Sequence, residues 1–156
     1  DLIEGNHAAC YQLVVPSGVE MLLQEEILFQ GGMRRLDIVI EEGAVLRHSI
    51  CLSAEDHSYD FLNIVVSDGA EYEQHFSITG SQHFRRVQRV ILGKGAKAVV
   101  DGCVFSKPGM RIEDQVFFQH NQPSAESHHL VKTLAIFLSI SRLKEKDLLS
   151  PFDLKG

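Results

Sequence analysis

No tryptophan, no C-x-x-C pair, no long basic run and no apolar run of membrane length occur in this 156-residue chain. Each absence removes a class of function. A spanning helix needs about 20 consecutive apolar residues, so the membrane is not expected as a partner. The densest basic stretch, Arg85-Arg86 with Arg89, reads as a solvated strand edge. With a net charge of −6, nucleic acid is not expected either. Three cysteines form an odd set, and no secretory signal precedes them, which points to reduced thiols and a cytoplasmic location. Cys10 and Cys51 read as small apolar packing residues. No G-x-S-x-G, P-loop or H-E-x-x-H occurs, and an enzyme is not expected. Glu25-Glu26 and Glu41-Glu42 are neighbours in sequence, so on a strand they face opposite ways and neither makes a catalytic pair.

What is present is a repeat. Three apolar residues, a turn and a glycine recur as Leu13-Val14-Val15 with Gly18, Ile38-Val39-Ile40 with Gly43, Ile64-Val65-Val66 with Gly69, and Val90-Ile91-Leu92 with Gly95. A weaker fifth copy is Val116-Phe117-Phe118, with Asn121 in the glycine place. The turn residues fall 25, 26, 26 and 26 positions apart. A fixed period of this length marks a solenoid or array. Val- and Ile-rich triplets suit buried parallel strands, and glycine or asparagine suits a bend with positive φ. The residues after each glycine alternate, as in Ala44, Leu46, His48, Ile50 and Leu52. Together these predict an all-β fold, a right-handed parallel β-helix of about five 26-residue rungs. A β-sandwich also has frequent short strands, but gives no reason for a 26-residue register.

The chain reads as a single domain over 1–156, with a frayed end at 1–9, rungs over 10–134 and an irregular tail or cap at 135–156. Strands are expected at 10–15, 19–29, 34–40, 44–52, 59–66, 70–79, 84–92, 96–105 and 111–119. A second turn column consists of Gly32, His57, His83 and Gly109, each fourteen residues past its own glycine. Residues 127–135 read as the start of a sixth rung. The segment after them reads as a short helix up to Leu149, ended by Pro151.

Phase in the repeat nominates sites. Cys51 and Cys103 share a column two rungs apart, roughly 9.6 Å, too far for a disulfide. Cys103 and His129 each lie eight past their turn, the one Cys–His pair expected on adjacent rungs and so the candidate metal or sulfur site. The plainer reading is an inert column of polar residues. His57 and His83 form a second adjacent pair, on loops. His120 stands before a bend, where hydrogen bonding to backbone is the expected role. A polysaccharide-acting β-helix enzyme would need a face of clustered Asp or Arg, and no column of the repeat shows more than one Asp on adjacent rungs.

The stretches LDIVIEEGAVLRH (36–48), RRVQRVILGKGAKAVVDG (85–102) and FFQHNQPSAESHHLVKTL (117–134) resemble the SufB/SufD family of iron–sulfur cluster assembly scaffolds. The family-like pieces are Glu41 to His48, Leu92 to Ala96, and His120 with Ser127 and Lys132. The resemblance implies a non-catalytic, cytoplasmic scaffold working with SufB- and SufC-like proteins, SufC being the partner ATPase. It places the sulfur-accepting cysteine of SufB near Arg85 and Arg86, which makes the chain closer to SufD. The family's later rungs and its ATPase-docking helices have no counterpart after Lys132, so only its central region is expected here. No four-ligand set is visible in the repeat, so no cluster is expected as purified, and one only transiently. The end near 127–135 is expected either to be covered by residues 136–149 or to pair with a second chain, and the homodimer is the favoured outcome. A β-helix interaction module without a cluster role is the alternative.

Overall fold

A computed structural model describes residues 7–80 and 83–135, and all the regular structure among them is β. Ten strands follow in order: β1 (His7–Val15), β2 (Glu20–Phe29), β3 (Gly32–Ile40), β4 (Val45–Ala54), β5 (Ser58–Val66), β6 (Glu71–Gly80), β7 (His83–Leu92), β8 (Lys97–Ser106), β9 (Arg111–His120) and β10 (Glu126–Ala135). The odd strands form one sheet, β1-β3-β5-β7-β9, and the even strands a second, β10-β8-β6-β4-β2. Every pairing is parallel and joins strands two apart in sequence. Each turn of chain therefore gives one strand to each sheet and advances by one strand spacing, about 4.8 Å. This is the expected parallel β-solenoid of five turns. The expected C-terminal helix and tail, like residues 1–6, lie outside the described residues.

The repeat sets the register. Leu13 stands beside Ile38, Ile38 beside Ile64, and Ile64 beside Val90. Gly18, Gly43, Gly69 and Gly95 have φ of 68°, 67°, 63° and 63°. An added Cβ would meet nothing within 4 Å at any of them, so the backbone angle, and not space, demands glycine. Each N–H reaches the next turn: Gly18 donates to the carbonyl of Glu42, Gly43 to Asp68, and Gly69 to Lys94. The core lies between the sheets, built from stacked Ile38, Ile64 and Val90 on one side and Leu46, Tyr72 and Ala98 on the other.

Four expectations are corrected. Residues 7–9 belong to β1. The triplets are not wholly buried: the pleat turns their middle residue outward, leaving Val14 52% and Val39 38% exposed. Residues 127–135 belong to β10, which completes the fifth turn and does not begin a sixth. Most consequentially, Asn121 is not the fifth turn residue. Gly95 donates to the carbonyl of Pro123, and the next residue, Ser124, has φ 63°. The step from Gly95 is thus 29 residues, matching the pairing of Lys97 with Glu126. The small residue after the turn, Ala44, Ala70 or Ala96 in earlier copies and Ala125 here, was the available signal.

Candidate functional site

The lengthened last turn separates the nominated pair. Cys103 pairs with Lys132, and His129 pairs with Val100. Alternation then places Cys103 on the outer face of its sheet and His129 on the inner face, with the imidazole 6.3 Å from the Phe118 ring. They therefore share no column and face opposite ways. Among the described residues no group of three or more His, Cys, Asp or Glu side chains converges for a metal ion.

His57 and His83 do meet, with rings edge to face at 5.6 Å. His57 N–H donates to Asp56 Oδ1, and this backbone bond with the side-chain bond beside it holds the Asp56 carboxyl below its ordinary value. Gly109 falls out of their column, because β9 shifts by two residues and sets His83 beside Arg111. His120 binds backbone as expected, through Nδ1 to the Ala125 carbonyl at 3.2 Å, and also reaches Ser127 Oγ at 3.0 Å through Nε2.

Cys51 and Cys103 share a column with Ser77 between them. Contrary to the packing expected from sequence, Cys10 and Cys51 are exposed. Cys51 Sγ lies 3.2 Å from Ser77 Oγ. Glu26 precedes this column and Lys132 follows it, and shallow grooves run along it past His75 and Asp101. This face carries two of the three thiols, and exposed Cys10 lies on β1 in the other sheet.

The charged groups that sequence reasoning missed are inside. Arg86, read as part of a solvated edge, is fully buried. It belongs to an inward column, Arg34, Asp60, Arg86 and Asp114, in which charge alternates rung by rung. Arg34 donates from Nε and Nη2 to the two Asp60 oxygens at 2.8 and 3.0 Å. Arg86 does the same to Asp114 at 2.8 and 3.1 Å. Such fork geometry is the strongest form of ion pairing available to arginine. The spacing carried the signal, since Arg34, Asp60 and Arg86 lie 26 apart, but each residue taken alone reads as surface.

From the facing sheet Glu25 completes a second group. It accepts from Arg34 Nη1 at 2.9 Å and lies 2.7 Å from His48 Nε2. With the proton on Nε2, His48 donates to Glu25 and accepts the Tyr72 hydroxyl at Nδ1, 3.1 Å away. Burial pushes the Glu25 carboxyl up, but the His48 hydrogen bond and the Arg34 charge win and hold it below its ordinary value. Burial pushes the Arg34 guanidinium down, and Asp60 more than reverses this. The Tyr72 hydroxyl is pushed up by burial. These groups lock one another within the coil, and Glu25, its side chain 20% exposed, is the member that reaches solvent.

No helix of the described residues is long and apolar enough to cross a membrane. A family model described as the SUF system FeS cluster assembly, SufBD core domain, matches residues 24–136. No curated protein and no solved structure matches the chain significantly.

Proposed function

The chain belongs to the SufBD core-domain family of the SUF iron–sulfur cluster assembly system, and we propose that it serves there as a non-catalytic, SufD-like scaffold component. The observation that carries the SufD-like reading is Arg86. Of the two residues near which the resemblance puts SufB's sulfur-accepting thiol, Arg86 is a fully buried guanidinium forked onto Asp114 and Arg85 is an exposed one, so neither supplies a thiol. Arg86 so placed supports the coil and accepts no sulfur. The cluster is then cargo of the assembly, held transiently, and the partners are SufB- and SufC-like proteins of the cytoplasm.

Self-association through the last rung is part of this proposal. β9 and β10 end their sheets among the described residues, and strand edges invite pairing with another chain. The test is co-expression of the tagged full chain with a SufB-like and a SufC-like protein. Retention of the SufB-like protein is expected, and retention of neither overturns the scaffold role. Light scattering should give about twice the 17.5 kDa chain mass, and a strictly monomeric mass overturns the dimer.

A further inference from the structure

Three polar groups near the middle of the core have no hydrogen-bond partner in the protein: the carboxamides of Gln74 and Gln88, and Nη1 of Arg86. All three residues are completely buried. Folded proteins leave few such groups unmatched, and each one asks for an explanation.

The topology brings them together. β6 and β7 are consecutive strands on opposite sheets and run in opposite directions. Arg86 on β7 lies over Phe76 on β6, its Cζ 3.6 Å from the ring centroid. Two residues onward along β7 and two back along β6, still on the inner face, Gln88 comes opposite Gln74. The same opposed run joins Glu25 of β2 to Arg34 of β3. Phe76 cannot move toward the neighbouring strand, because its ring already fills the space a Cβ on Gly102 would need, at 2.6 Å. Gln74 also stands beside His48 in its own sheet, so the amides lie between the Glu25–His48–Tyr72 group and the Arg86–Asp114 pair.

Charge decides what such a site can hold. Asp114 already neutralises Arg86 with two hydrogen bonds, and Asp60 together with Glu25 more than neutralises Arg34. An anion would therefore bring an uncompensated charge into the core, and a cation would face a guanidinium. The occupant must be neutral, accept from Arg86 Nη1 and the amide N–H groups, and donate to the amide oxygens. Water does all of this, and buried water characteristically makes about three such bonds.

We propose that Gln74, Gln88 and Nη1 of Arg86 form a buried hydration site, holding a small cluster of ordered water molecules between the two sheets. The site makes the interior of the coil polar and hydrated between its two ionic groups. Crystals of the full chain soaked in sodium bromide test it. The expected result is density about 2.7–3.2 Å from both amides and from Arg86 Nη1, refining as water and without a bromide anomalous signal. A bromide peak at that place overturns the neutral occupant. A direct Gln74–Gln88 amide pair with no density between overturns the site itself. In solution, the side-chain amide protons of both glutamines should show nuclear Overhauser contacts to long-lived water. Their absence from both residues counts against the proposal equally.

Discussion

Replacing Asp60 by asparagine removes one negative charge from the middle of the inward column and leaves its shape almost unchanged. The side chains of Asp60 and Arg34 are 0% and 3% exposed, so water cannot take over the pairing. Breaking a buried ion pair by removing one partner costs about 3–5 kcal/mol. Here Glu25 still holds Arg34 at 2.9 Å and is itself 20% exposed, which favours the lower end. A second contribution comes from Arg34 and Arg86, two rungs apart at roughly 9.6 Å and no longer separated by an anion. At an effective dielectric of about 20 their repulsion is about 1.7 kcal/mol. A net loss of about 4–5 kcal/mol is therefore expected, a large share of the 5–15 kcal/mol that holds a typical domain together. In a chain of this size it lowers the melting temperature by about 8–20 °C. Urea unfolding followed by circular dichroism measures it directly. The double variant Asp60→Asn with Arg34→Gln removes the stranded cation and should lose less than the single. A single variant within about 1 kcal/mol of the parent, or a double worse than the single, would refute the argument.

Ser124 holds the left-handed angle that glycine holds in the four other turns. That angle costs a side-chain-bearing residue about 1–2 kcal/mol, and glycine's extra freedom when unfolded returns about 0.5–1 of it. Ser124→Gly should therefore stabilise by about 0.5–1 kcal/mol and Gly69→Ala destabilise similarly, both read from thermal melts. Glu25 titrates below its ordinary value of 4.5 when folded. Its stabilising effect is complete above that value and is lost as pH falls through the lower folded one. Between pH 5 and 3 the parent should lose more melting temperature than Glu25→Gln, and equal losses would refute the linkage. With iodoacetamide and mass spectrometry, exposed Cys10 and Cys51 should label before half-buried Cys103. Protection of Cys51 in the isolated protein would contradict its placement on the open face.

The solenoid is legible in the sequence because its cause is local and repeated. Each coil needs one residue at positive φ, and Gly18, Gly43, Gly69 and Gly95 announce it at a near-constant spacing. The alternation after each glycine likewise gave the inner face, including His48. Sequence went wrong where the period stretched. Asn121 stood where glycine was due, but two extra residues enter before β9 and one more before Ser124, which takes the angle. That slip changed the predicted pairing of every residue in β10 and, because three is odd, moved His129 to the opposite face from Cys103. Which charges are buried was equally out of reach, since nothing local in Arg85-Arg86 says that one side chain meets water and the other meets Asp114. The spacing of glycines fixed how the chain coils. Only the assembled sheets could decide which polar groups the coil encloses, because a buried charge is tolerable only when a partner from another turn stands beside it.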